Sequence, residues 1–151
     1  MKRILILFVF CSMQILGTKI YAFNFLPYSI KGDFEGCADE NSSSYTFSGQ
    51  FDNKSEKPVS SFTVVFYVFD QDGNCPLQKR NNVVCMINES IPSGSNFEFN
   101  INMDEYLHES SYDYDSEEDE EREYRTEYLY VSRICYEDGT EWSDPFGLEA
   151  F

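Results

Sequence analysis

The chain has 151 residues, with 27 Asp and Glu against 11 Lys and Arg and a formal net charge of −16. That field disfavours nucleic acid and anionic lipid surfaces and favours cations or basic proteins as partners, although acidity also serves plain solubility. The length is that of one domain, able to bury a core without covalent staples.

Met1 to Ala22 reads as a secretory signal: Lys2 and Arg3 precede an apolar run, Ile4 to Gly17, and Ala22 offers a small residue for cleavage before Phe23. The run is short for a membrane span, so the expectation is removal, with an uncleaved anchor as the alternative. Phe10 before Cys11 breaks the lipoprotein pattern. Cleavage would take away three of the 11 basic residues and none of the 27 acidic ones. The expected location is therefore secreted or periplasmic, with the remaining domain, 23–151, free of any membrane span.

Leu26 to Phe34 opens as an edge strand, with Pro27 where a missing donor is tolerated. Gly36 to Ser44 reads as a polar loop. Ser44 to Asp52 alternates strictly, Tyr45, Phe47, Gly49 and Phe51 against Thr46, Ser48 and Gln50, the pattern of a half-buried strand. Phe62 to Phe69 is a run of β-branched and aromatic residues, too continuous for one buried face: either both faces are covered or one carries large aromatics at a rim. Val83 to Ile91 forms a fourth strand. Phe97, Phe99, Ile101 and Met103 alternate with polar residues in a fifth, and Asp104 to Leu107 reads as one helical turn or the start of a loop. Tyr128 to Tyr136 is the last long strand, and Glu141 to Phe151 a C-terminal tail. Six or seven short antiparallel strands with frequent turn signals and little helical periodicity predict an all-β fold, a single two-layer β-sandwich.

Past the signal, four cysteines remain: Cys37, Cys75, Cys85 and Cys135. An even number in an exported chain predicts disulfides. Cys75 with Cys85 would staple the loop after the central strand while Cys37 with Cys135 ties first strand to last; a Cys85 to Cys135 bridge across the core is the alternative. No CxxC occurs and His108 is the sole histidine, so a zinc site is excluded.

Asn53, Ser55, Lys57 and Pro58 before the central strand, then Asp70 and Gly73 after it, resemble the small Ig-like or fibronectin-like sandwich domains of exported bacterial proteins, nearest the one named for its FxLYD motif. Val68, Phe69 and Asp70 take the place of its Leu-Tyr-Asp. Ile134, Tyr136, Glu137, Asp138, Gly139 and Trp142 look like the closing elements of domains of this build. The resemblance implies a non-catalytic sandwich of the cell envelope and supplies no site residues.

The acidic, Tyr-rich insertion at about 108–127 is the strongest local anomaly. Its carboxylates repel one another and resist packing, which reads as a solvated loop, while tyrosines among them suit contact with a basic protein. Tyr112, Tyr114, Glu117, Glu118, Asp119 and Glu120 are the candidate binding residues. Asp70, Asp72 and Asn74 read as a hairpin turn; they also resemble a fragment of a calcium loop, cut short by Cys75 and Pro76, so calcium is the one cofactor to consider. Trp142, Tyr136 and Phe146 could make an aromatic patch, though a tryptophan here more often lids the core. Asn41, Asn53 and Asn88 head glycosylation sequons.

No Gly-rich phosphate loop or nucleophile signature is present, and the carboxylates lie in polar segments unsuited to general-acid work. The sequence predicts an exported, non-catalytic sandwich module for protein binding or envelope structure, with calcium binding as the alternative.

Overall fold

A computed structural model describes residues 26–39, 42–107 and 124–151; of 35–39 and 42–44 it describes the backbone. The signal segment and residues 108–123 of the acidic insertion lie outside the described residues. Seven strands are present: β1 (Tyr28–Asp39), β2 (Ser42–Asn53), β3 (Val59–Phe69), β4 (Val83–Ile87), β5 (Asn96–Asn102), β6 (Arg125–Tyr136) and β7 (Glu141–Ser143). They form a three-stranded sheet, β1-β2-β5, and a four-stranded sheet, β4-β3-β6-β7, all antiparallel. The two sheets pack as a β-sandwich. β4 lies beside β3, not beside β5 as in the constant-type immunoglobulin arrangement.

The period-two residues fill the space between the layers. Phe47 and Phe51 of β2 enter from one sheet, and Phe62, Val64, Phe66 and Val68 of β3 from the other, all fully buried. Phe47 stacks on Phe66 and Phe51 on Phe62, each pair with ring centroids 4.2 Å apart. Phe99 of β5 meets Phe62 edge-on at 5.7 Å. These rings need a floor without side chains. Gly32 and Gly49 are paired across the β1–β2 ladder, and a Cβ on Gly49 would lie 2.3 Å from Phe99 Cζ, one on Gly32 2.4 Å from Phe47 Cζ. At the other end of β1 the Tyr28 hydroxyl accepts the N–H of Val131 at 3.1 Å, tying the edge of one sheet to a central strand of the other.

One end of the sandwich is organised by Asn53, 1% exposed. Its amide nitrogen donates to the carbonyls of Lys57, Ile91 and Pro92, and its Oδ1 accepts from the backbone N–H and hydroxyl of Ser55. The Asn-x-Ser signature is therefore a buried structural turn, and this sequon has no amide free to carry a glycan. Outside the core, Lys57 pairs with Asp138 at 2.7 Å and joins the β2–β3 and β6–β7 turns.

Several boundaries differ from the expected ones. Gly36 to Ser44 is not a loop: β1 runs on to Asp39 and β2 starts at Ser42, because backbone pairing continues through Cys37–Ser44 and Ala38–Ser43 without any apolar pattern. β4 stops at Ile87, and Ile91 makes an isolated bridge to Val59 where the Asn53 amide holds its carbonyl. β6 begins at Arg125, inside the expected insertion, and register shifts opposite Thr63–Val64 and Val65–Tyr67 absorb the extra length. Glu141–Ser143 is a seventh strand rather than tail.

The disulfide framework is corrected as well: Cys75, Cys85 and Cys135 are free thiols. Cys75 lies in an exposed turn, its Sγ 3.9 Å from the carbonyl oxygens of Arg80 and Asn81, while Cys85 packs against the core. Cys135 is separated from Cys85 by β3 and alternates with the core-facing Ile134, so the two thiols lie on opposite faces of their sheet. The Cys37 side chain lies outside the described residues. Its backbone pairs with Ser44 near the β1–β2 hairpin, at the end of β1 away from Tyr28 and Trp142, whereas Cys135 adjoins Trp142.

The glycine floor predicts that Gly49→Ala lowers stability by about 1–3 kcal/mol through overpacking against Phe99, read as a lower urea midpoint. Ser48→Ala, on the opposite face of β2, leaves the midpoint nearly unchanged. Equal midpoints for wild type and Gly49→Ala would remove this account of the core.

Candidate functional site

β3 is apolar on both faces, and its outer face carries the chemistry that the core does not use. Val65 is paired with Val84 of β4 on one side and Tyr130 of β6 on the other. Val65 and Tyr130 are buried but belong to no part of the core between the sheets. Beside them, Tyr67 meets Tyr128 edge-on at 5.8 Å. Tyr128 has φ 54°, a left-handed backbone for a bulky residue, at the register shift opposite Val65–Tyr67. Such a conformation costs on the order of 1–2 kcal/mol, and here it holds the Tyr128 ring on the surface, 55% exposed.

The C-terminal tail seats against this face. The buried Asp144 carboxylate accepts the N–H groups of Leu148 and Glu149 at 3.0 and 2.8 Å, which curls the tail. Gly147, at φ 67°, lies against the Tyr130 ring, where a Cβ would come within 3.1 Å. The Tyr130 hydroxyl donates to the Pro145 carbonyl at 3.4 Å, and burial pushes its pKa up. Phe151 closes the cluster edge-on to Tyr128 and Tyr130 at 5.7 and 6.3 Å. Phe146, Leu148 and Phe151 remain largely exposed. Together with Val84 and Met86 they give the outer face of the four-stranded sheet exposed apolar and aromatic residues, beside the exposed Arg133–Glu141 ion pair.

The outer face of the three-stranded sheet is the opposite in character. A shallow open groove of about 760 Å³ runs over it, lined by Lys31, Asp33, Ser48, Gln50, Glu98 and Asn100. It holds no aromatic ring and no buried carboxyl, and it suits water.

Of the residues singled out in the sequence, Tyr112, Tyr114, Glu117, Glu118, Asp119 and Glu120 lie outside the described residues, as does His108. The chain on either side of them is anchored. Leu107 is fully buried and bridges to Leu77, and Tyr124 packs edge-on to Tyr45 at 4.9 Å. The segment thus leads directly into β6, and Tyr128 follows four residues after Tyr124.

Asp70 and Asn74 are brought together, but as a self-capped turn. Asp70 Oδ1 accepts the N–H groups of Asp72 and Asn74 at 3.0 and 2.7 Å, and its Oδ2 accepts the Asn74 amide at 3.4 Å. The Asn74 N–H is the main cause that holds the Asp70 carboxyl below its ordinary range. Asp72 contributes its backbone, and among the described residues no three acidic, Cys or His side chains gather as a metal site.

Trp142, Tyr136 and Phe146 do not form a patch. Trp142 meets Tyr28 edge-on at 5.4 Å, Tyr136 is buried with Lys57 Nζ 5.5 Å over its ring, and Phe146 lies on the tail. The Tyr67, Tyr128, Tyr130 and Phe151 cluster was hidden in the sequence because it draws on three separated segments. Its one signal was the unbroken apolar run of β3.

No protein-family model matches the chain, and no curated protein matches it. Among solved structures, the 1.85 Å X-ray structure of a hypothetical protein from Peptoclostridium difficile 630 is similar, with a TM-score of 0.54 and 10% sequence identity over 83% of this chain and 89% of that one. At that identity the likeness is one of fold, a two-sheet all-β architecture shared with a bacterial protein.

Two measurements check the Asp70 turn. Because its folded pKa is lowered, the turn contributes stability above the ordinary carboxyl range and loses it as pH falls through the lowered value. Asp70→Asn is expected to flatten the acid limb of the melting curve relative to wild type. Millimolar calcium is expected to leave the wild-type midpoint in place; a rise that Asp70→Asn abolishes would contradict the capped-turn assignment.

Proposed function

We propose that the chain is an exported, non-catalytic β-sandwich module of the cell envelope, akin to the FxLYD-type domains, that binds a protein partner with basic character. The acidic segment and the aromatic outer face of the four-stranded sheet would serve together as its contact surface. The observation that carries this reading is the strained, exposed Tyr128, held on the surface by a bulge where the acidic segment runs into β6, four residues after Tyr124. Backbone strain at an exposed aromatic is retained where that side chain is used, and tyrosines beside carboxylates combine apolar contact area with attraction for Lys and Arg.

The non-catalytic part rests on the tasks of the buried polar groups. Among the described residues these are Asn53 and Asp144, and each is spent on holding backbone. No described carboxyl is left in an apolar pocket as a general acid requires.

The test is capture of partners from an exported-protein extract on the immobilised chain. Wild type is expected to retain a partner at physiological salt. Reversal of Glu117, Glu118, Asp119 and Glu120 to Lys, and separately Tyr128→Ser, should each lower retention at least tenfold. Unchanged capture by both variants would sink the reading.

A further inference from the structure

The four edges of the two sheets are not alike. β1 carries Lys31, Asp33 and Glu35, β5 carries Glu98 and β7 carries Glu141, charges of the kind that keep an edge from pairing with another chain. β4, the remaining edge, reads Val-Val-Cys-Met-Ile, without charge or proline. It pairs with β3 on one side, and no described strand lies on the other. Val84 and Met86 on its outer face are 40% and 62% exposed.

We propose that β4 is the self-association edge of this protein, pairing antiparallel with β4 of a second copy about a two-fold axis at Cys85. Three features of the strand favour that occupant over a foreign one. First, β4 has five residues with Cys85 at the centre, so antiparallel pairing centred there sets Val84 opposite Met86 of the second copy and Met86 opposite Val84. The exposed apolar side chains then become cross-strand neighbours, the unit of sheet stabilisation. Second, the charges flanking the strand are self-complementary. Lys79 and Arg80 precede it and Glu89 follows it, all exposed and without an ion-pair partner among the described residues. The same two-fold sets the start of each strand beside the end of the other, which brings the basic pair just before one strand toward the acidic residue just after its partner. A parallel or shifted pairing loses this match. Third, the pairing would extend the four-stranded sheets of two copies into one, with the aromatic outer faces on the same side and the tail left in place.

The formal charge of −16 opposes association over long range. Screening beyond about 8 Å at physiological ionic strength limits that repulsion and leaves the close contacts at the edge.

The test is the mass of the purified protein by sedimentation equilibrium at about 0.15 M salt. A reversible dimer is expected. Met86→Lys, a change at an exposed position that leaves the circular dichroism spectrum and melting intact, should weaken it at least tenfold, and Glu89→Arg at least threefold. Adding Arg80→Glu to Glu89→Arg restores the complementary pair and should recover the dimer. Glu98→Lys, on the other sheet, should leave it unchanged. A single-chain mass at every concentration, or a dimer that Met86→Lys does not weaken, would overturn the proposal.

Discussion

Two aromatic stacks, Phe47 on Phe66 and Phe51 on Phe62, join the sheets, and the floor of the three-stranded sheet is left bare for them by Gly32, under Phe47, and by Gly49, under the Phe99 that meets Phe62 edge-on. Stacking adds on the order of 0.5–1.5 kcal/mol per pair beyond area burial, and burying each ring contributes about 1.5–3 kcal/mol more. With the rings lying flat against each other, β3 is fixed in both height and register. The rest of the four-stranded sheet is built from it. β4 and β6 pair on either side, and β7 adds to β6.

A strand fixed in this way has a second face, and β3 carries apolar residues there as well. Val65 is buried beside Tyr130, and the tail curled by Asp144 seats in turn against the Tyr130 ring. The cover is partial. Tyr128 and Phe151 remain at the surface, and at the β4 edge Val84 and Met86 are 40% and 62% exposed. The contrast with the three-stranded sheet is physical. There, outward positions are Lys31, Asp33, Ser48, Gln50, Glu98 and Asn100, a face for water, while the four-stranded sheet exposes Val84, Met86 and Tyr128 on its outer face.

Much of the fold was legible because period two is a strong signal when one face meets water. β2 and β5 announced themselves by alternation, and the inward set of Tyr45, Phe47 and Phe51 was the set found buried. The continuous run of β3 left two readings, both faces covered or one with large aromatics at a rim, and the outer face combines them: Val65 is buried while Tyr67 and Phe69 are half-buried. What escaped notice lacked an apolar period. The ends of β1 and β2 pair through backbone hydrogen bonds with Ser, Asp and Gly side chains, which sequence patterning reads as loop. Cysteine arithmetic failed because an even count says nothing about which face of a sheet each thiol occupies. Cys135 is one residue out of phase with Ile134, and that places it away from Cys85. Of the candidate site, Asp70, Asp72 and Asn74 read as a hairpin turn or a fragment of a calcium loop, and the choice between turn cap and ligand is made by where the backbone N–H groups point. The outer aromatic cluster needed the third dimension, since Tyr67, Tyr128 and Phe151 meet only once the sheet and tail are assembled.

The central claim is that β3 is engaged on both faces, by the opposing sheet on one and, on the other, by the aromatic cluster of β6 against which the chain's own tail seats. Residue-by-residue amide hydrogen exchange tests it most directly. The account predicts strong protection from Phe62 to Val68 and, in the tail, protected amides at Leu148 and Glu149, the two held by the buried Asp144 carboxylate. Leu148 and Glu149 exchanging at the rate of an unstructured chain, while β3 stays protected, would mean that the tail does not seat there and that the outer face is bare.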